Sequence, residues 1–314
     1  MLSFFSSLFS AKPEERDLSF GLKAEYGIDA LVRRQQWAAV EATAQALPGD
    51  ALSRLLDGIC LSHQHHEEVT RYAVAAASEF GHLLAGAWYL FLAWEARTGK
   101  WGNQLTTAEV DGFGHYLSLA EQSLNRPFAN PAFGSEAQAR LVRVWMGFSE
   151  KDKALDSFTH STALDETKFW AYHHLFKVLS AKWLGSKDEL RAFVDAVELP
   201  AMRYALLAMY LVEVFDDFDT EDARSAQRKW YAENRAGVAQ LLALPALPVN
   251  SSLVSVYANN NLAYLWHLLG EREKRDRLLD QLGNRVPVYP WAYFGLDSPK
   301  AMRAFRKGGA LARP

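Results

Sequence analysis

The chain has 314 residues, 49% of them hydrophobic, which is enough to bury a sizeable core. Its formal net charge of -3 argues against a general nucleic-acid or membrane-surface binder. Its single cysteine, Cys60, rules out an internal disulfide framework and leaves a cysteine-based zinc site nearly without ligands.

The chain opens MLSFFSSLFSAKPEER. No basic residue precedes the apolar run and no small-residue cleavage pattern follows, so a secretory signal is not expected. The run falls far short of the roughly 20 apolar residues of a membrane span, and it lacks the Lys/Arg face of a surface anchor. Residues 1–20 read as a flexible tail, and the protein is expected in the cytoplasm. Beyond the tail nearly every apolar stretch has the 3.6-residue period of a helix. In DALVRRQQWAAVEATAQAL the apolar positions are Leu31, Val32, Trp37, Val40 and Leu47. LLAGAWYLFLAWEA, over 83–96, is apolar nearly all round and predicts a helix buried on more than one side. No run alternates with period two between turn residues, so no hairpin of strands is expected. The pattern predicts an all-α chain of roughly fourteen helices in one domain over 21–314. Breaks are expected at Pro48-Gly49, Gly81, Thr98-Gly99, Arg126-Pro127, Leu184-Gly185-Ser186, Leu244-Pro245 and Val286-Pro287.

Helices joined by short turns predict stacked antiparallel hairpins. Ala154, Phe158 and Ser161, at steps of four and three, resemble the second helix of a tetratricopeptide repeat. The small residues let two helices approach and the aromatic fills the groove beside them. Ala263, Trp266 and Gly270-Glu271 resemble a repeat's first helix and turn, although Arg275 and Asp276 stand where alanine belongs. Trp88 also matches Trp170, and Lys100-Trp101 matches Lys182-Trp183, at one constant offset. The expected architecture is a tetratricopeptide-like α-solenoid, whose curved face binds proteins or peptides more often than it hosts chemistry.

Several stretches invite a chemical reading. SHQHHEEV, over 62–69, suggests metal, but the second histidine of His-Glu-x-x-His is replaced by Thr70, and no Pro-Cys-x-x-Cys follows for a deaminase. A capped helix start with Glu67 and Glu68 in its first turn explains the pattern. His173 and His174 point about 100° apart on a helix and do not suit one ion. Cys60, in LLDGIC, has no basic neighbour to lower its pKa. There is no Gly-x-Ser-x-Gly elbow and no Walker A loop, and Gly112-Phe113-Gly114 stands alone. No catalytic, cofactor or metal residue is assigned, and an enzyme is not expected.

The strongest charge feature is EVFDDFDTED, over 213–222, which fails the EF-hand spacing because Asp222 and Arg228 occupy its glycine and glutamate positions. It reads either as a solvated connection or as an acidic clamp for a basic partner. In the clamp Asp216, Asp217, Asp219, Glu221 and Asp222 meet the partner's charges, and Phe215 and Phe218 serve as apolar anchors.

YHHLFKVLSAKWLGSKDEL, over 172–190, supplies a resemblance. His174, Lys182, Trp183, Gly185, Ser186, Glu189 and Phe193 are similar to a Lys-Trp-Gly-Gly-Ser-type turn in a family of bacterial helical domains of unknown function, with Leu184 at the first glycine. Members tend to be tetratricopeptide-like, and some are encoded beside secreted antibacterial toxins. In physical terms Gly185 permits the turn, Ser186 caps the next helix, Glu189 closes a capping box and Trp183 pins the turn to preceding helices. The resemblance implies an interaction protein: a cytoplasmic immunity protein that neutralises a cognate toxin, in the leading form a type VI secretion nuclease with a basic groove. A scaffold or adaptor for another protein or peptide is the alternative, and an enzyme with a site assembled from distant residues is a third reading. Direct nucleic-acid and membrane contacts are not expected.

Overall fold

The structure, a computed structural model of the chain, describes residues 16–61, 63–100, 102–216, 223–294, 296, 301–302 and 305. Among them every regular element is helical, with 15 α-helices and no strand. None of the described helices is long and apolar enough to cross a membrane.

The chain divides into two compact units, one built on Asp17–Glu189 and one on Leu190–Pro314 with Arg16. The sequence pattern alone reads as one domain over 21–314. The division falls inside a helix, where periodicity gives no boundary. The expected tail over 1–20 lies outside the described residues up to residue 15. From Arg16 the chain is held: the Arg16 guanidinium donates to the carbonyls of Pro287 (2.8 Å) and Leu296. Asp17 accepts from the Ser19 and Gly21 amides at 2.9 and 2.8 Å.

The first unit begins with α1 (Leu22–Glu25), α2 (Ile28–Arg33) and α3 (Trp37–Ala46). The sequence reads α2 and α3 as one stretch, but Gln35 adopts φ 56 and splits it. α4 (Gly49–Cys60) follows the expected break at Pro48-Gly49, and α5 (His66–Val74) follows a 3-10 turn over His63–His65. α6 (Glu79–Arg97) is the apolar helix expected to be buried on several sides, and Leu83, Leu84, Ala87, Trp88 and Leu90 are all buried. Gly81 does not break it. Gly81 lies in its first turn, where Ser78 Oγ accepts from the Gly81 amide at 3.0 Å.

α7 (Thr107–Leu124) packs along α6. The approach is close because a Cβ at Gly86 would stand 2.3 Å from Leu124 Cγ. α7 starts with a capping box, in which Thr106 Oγ1 accepts from the Glu109 amide and Glu109 accepts from the Thr106 amide. α8 (Pro131–Phe148) and α9 (Lys151–Leu164) form the next pair, and α10 (Phe169–Val178) packs on both. Ala154 and Ser161 are fully buried. Ser135 and Ser161 exchange hydroxyl-to-carbonyl bonds at 3.0 and 2.8 Å, which draws α8 and α9 together as small residues at those positions predict. Phe158 reaches edge-on to Tyr172 of α10 at 5.1 Å.

α11 (Lys187–Ala196) crosses from the first unit into the second. The second unit holds α12 (Pro200–Asp216), α13 (Ala223–Ala243), α14 (Leu253–Leu268) and α15 (Arg272–Leu282). Its core includes Leu206, Met209, Trp230, Tyr264 and Trp291, with the Trp291 indole N–H donating to Asn260 Oδ1 at 2.7 Å.

Candidate interaction groove

Three helices of the first unit leave a groove between them of about 500 Å³. α5 contributes one stripe, His66, Thr70 and Val74, spaced by four residues so that all three share a face. α6 contributes Tyr89, Leu92 and Glu95 at steps of three. α7 closes the far side with Tyr116 and Leu119. The walls are mainly apolar and aromatic, and Val74 at the rim is 75% exposed. The start of α5 is fixed from behind. His65 is buried and its Nε2 bonds Asp29 Oδ1 at 2.9 Å, and Lys23 reaches the same carboxylate oxygen at 3.1 Å. His66 turns the other way and meets the Trp88 ring edge-on at 4.8 Å.

The histidine-rich stretch is thus divided between two tasks, one histidine stapling α5 to α2 and the next lining the groove. Ser62 lies outside the described residues, and only the backbone of His63 is described. Among the described residues no three ligating side chains gather as a metal site would need. Cys60 is buried, and burial pushes its thiol pKa up.

Glu95 stands in the groove wall without an ion pair or a side-chain hydrogen bond among the described residues. Thr70 Oγ1 is buried in the opposite wall and also lacks a partner. Burial and the neighbouring Tyr116 hold the Tyr89 hydroxyl above its ordinary pKa.

The Lys182–Ser186 turn is built as the sequence suggests. The Trp183 amide donates to Ser180 O at 3.0 Å and the Leu184 amide to Val178 O at 3.0 Å, folding the turn back over the end of α10. Gly185 lies against that end. Ser186 Oγ accepts from the Glu189 amide at 3.2 Å. Glu189 takes a bond from Lys151 and others from Ser186, which hold its carboxyl below the ordinary value. Trp183 stands edge-on to Trp94 of α6 at 5.3 Å, and the Arg97 guanidinium lies 5.0 Å from the Trp183 ring centre. Lys182 is partly buried. His174 bonds Ala139 O through Nδ1 at 2.9 Å and stacks on Trp170. Burial, then the Arg143 charge, lowers its pKa to about 3. His173, also buried, meets the edge of Trp170 at 4.9 Å.

The first unit also holds a charge network that the sequence reading does not single out. Arg140 of α8 bonds Glu136 at 2.8 Å and Asp57 of α4 at 2.9 Å. Lys168 reaches Glu136 at 3.3 Å and the Gly49 carbonyl at 3.1 Å, while the Trp170 indole donates to Asp57 at 2.8 Å. Ser53 donates its hydroxyl to Glu136. All four charged residues are buried. Burial alone would raise the Glu136 pKa, but Arg140 and Lys168 outweigh it and bring it down. Asp57 is pushed up by burial. The network ties α4, α8 and the start of α10 together and acts as architecture. Its one sequence signal is the pair Glu136 and Arg140, four residues apart among alanines, leucines and valines.

The acidic clamp is only partly placed. Asp217, Phe218, Asp219, Glu221 and Asp222 lie outside the described residues, and of Asp216 only the backbone, at the end of α12, is described. Phe215 is a correction. Its ring is 6% exposed and packs edge-on to Trp230 at 5.7 Å and Tyr264 at 6.4 Å. It closes the core of the second unit and offers no surface to a partner.

No family model, no curated protein and no solved structure matches this chain. Its class rests on the fold and the site: an all-helical protein carrying an open, mainly apolar groove.

Proposed function

We propose that the protein is an interaction protein, and that its partner is a cognate antibacterial toxin which it neutralises inside the cytoplasm. The observation that carries the interaction reading is the groove between α5, α6 and α7, whose rim leaves Val74 75% exposed. A mainly apolar groove open to solvent, more than any single exposed side chain, is a surface that a partner can cover. The toxin, in the leading form a type VI secretion nuclease, rests on the resemblance of the Lys182–Ser186 turn. The tetratricopeptide-like solenoid belongs to the same reading, supported by the small-residue contact of Ser135 with Ser161 and by the buried Ala154. An acidic run over 216–222 suits a partner with a basic nucleic-acid groove.

The test uses the product of the gene beside this one. If that product arrests growth when made alone, making this chain with it should restore growth, and the two should elute as one complex. A complex without rescue favours the adaptor reading. Growth arrest that persists, with no complex, ends the immunity reading.

A further inference from the structure

The groove also constrains the shape and charge of what it binds. Among the described residues the fold has no strand, so a partner peptide has no sheet edge to extend. The volume of about 500 Å³ falls within the range of small-molecule sites. With Val74 at the rim 75% exposed, however, a small ligand would leave one side in water. A helix laid along the groove covers that side. The α5 stripe from His66 to Val74 rises about 12 Å, which matches roughly two turns of an incoming helix. The carboxylate of Glu95 then decides the sign. It is partly buried in an apolar wall and has no cation of its own among the described residues. A carboxylate so placed is open to a cation that a partner supplies.

We infer that the groove takes an amphipathic helix of a protein partner, with its apolar ridge against Val74, Leu92 and Tyr116 and a Lys or Arg paired with Glu95. This rests on the interaction reading but does not require that the partner be a toxin. His66, exposed in the α5 stripe, offers a polar contact to that helix.

Fluorescence anisotropy with dye-labelled model helices of roughly four turns tests the inference on the full chain. One peptide is built of Leu and Lys in an amphipathic pattern, one of Leu and Glu, and one of Lys and Ser without an apolar face. The Leu/Lys helix should bind about tenfold more tightly than either of the others. Glu95→Gln should weaken it about fivefold and remove its advantage over the Leu/Glu helix. Val74→Asp should weaken it about tenfold. Both variants should melt with the parent, since both positions reach solvent. Equal binding of the Leu/Lys helix to parent and Glu95→Gln overturns the charge assignment. Equal binding of the Lys/Ser peptide shows mere attraction to an acidic protein and overturns the groove. Self-association of the chain that Val74→Asp abolishes also overturns it, because the occupant is then a second copy. A toxin complex that survives Val74→Asp overturns this inference and leaves the proposed function standing. Tight Leu/Lys binding to a chain that ignores the neighbouring toxin does the reverse.

Discussion

Gly185 lies against the backbone of Leu179, where a Cβ would stand 2.2 Å from the Leu179 carbonyl oxygen and 2.5 Å from its carbon. The obstacle is main chain at the end of α10, which cannot rotate away as a side chain would. Gly185→Ala should therefore cost about 3 kcal/mol, at the upper end for overpacking. Gly102→Ala, with nothing within 4 Å of the new methyl, should stay within about 0.5 kcal/mol of the parent. Urea midpoints of the two variants make the comparison, and equal midpoints would remove the steric account of the turn.

Glu136 is the hub of the buried network, bonded by Arg140, Lys168 and Ser53. Glu136→Gln leaves two buried cations short of a carboxylate and should cost about 3–5 kcal/mol. Adding Lys168→Met should recover part of that loss, with a coupling of about 1–3 kcal/mol. Additive losses would mean that the two side chains do not act as a pair.

Stability should fall as the pH drops from the ordinary histidine value of 6.5 toward about 3 for His174. The sign follows from burial, which keeps the folded-state value below the unfolded one. Unfolding then takes up protons throughout that window, and the stabilisation is complete only above it. His173 shifts the same way, and so does His267, lowered to about 4 by burial and by Arg275. Asp57, raised by burial, works in the opposite direction above 3.8 and flattens the slope. His174→Gln, which retains a donor for Ala139 O, should give a shallower decline in melting temperature between about pH 6 and 4. An unchanged slope would show that His174 does not carry the effect.

Reversing two of Asp217, Asp219, Glu221 and Asp222 to lysine should slow association with a basic partner. The deficit should shrink as salt rises, because charges are screened over about 8 Å at physiological ionic strength. Folding stability should change by no more than about 1 kcal/mol per charge. Association rates at low and high salt measure this, and equal rates at low salt would make the run a plain connection. Phe215 takes no part in this prediction, because its ring belongs to the core.

What the sequence made legible was local. The 3.6-residue period identifies the helices, and Gly185, Ser186 and Glu189 announce their turn within five residues, so the capping box could be read directly. The split at Gln35 could not, because glutamine carries no signal for a left-handed φ of 56. Glu136 and Arg140, four apart, look like an exposed helical ion pair. Their burial depends on Asp57 and Lys168, which arrive from distant helices. The groove is hidden for a similar reason. Each of its stripes reads as an ordinary amphipathic face, and only the arrangement of α5, α6 and α7 shows that the stripes meet around a groove that no other described residue fills.

The buried network joins Asp57 and Glu136 to Arg140 and Lys168, with the partly exposed Asp165 at its edge 3.6 Å from the Lys168 ammonium. These pairings tie the Glu136–Arg140 pair of α8 to Asp57 and Lys168, which lie far from it in the chain. A change at Asp57 alone leaves Arg140 to rely on Glu136, and a change at Lys168 alone leaves Glu136 to rely on Arg140, so each single loss unbalances a buried pair. In descendants of this sequence the four should drift as matched sets or not at all, while the exposed residues around them vary one at a time. A variant library scored for folding would show this as strong pairwise epistasis across α4, α8 and the start of α10, at positions that no partner touches.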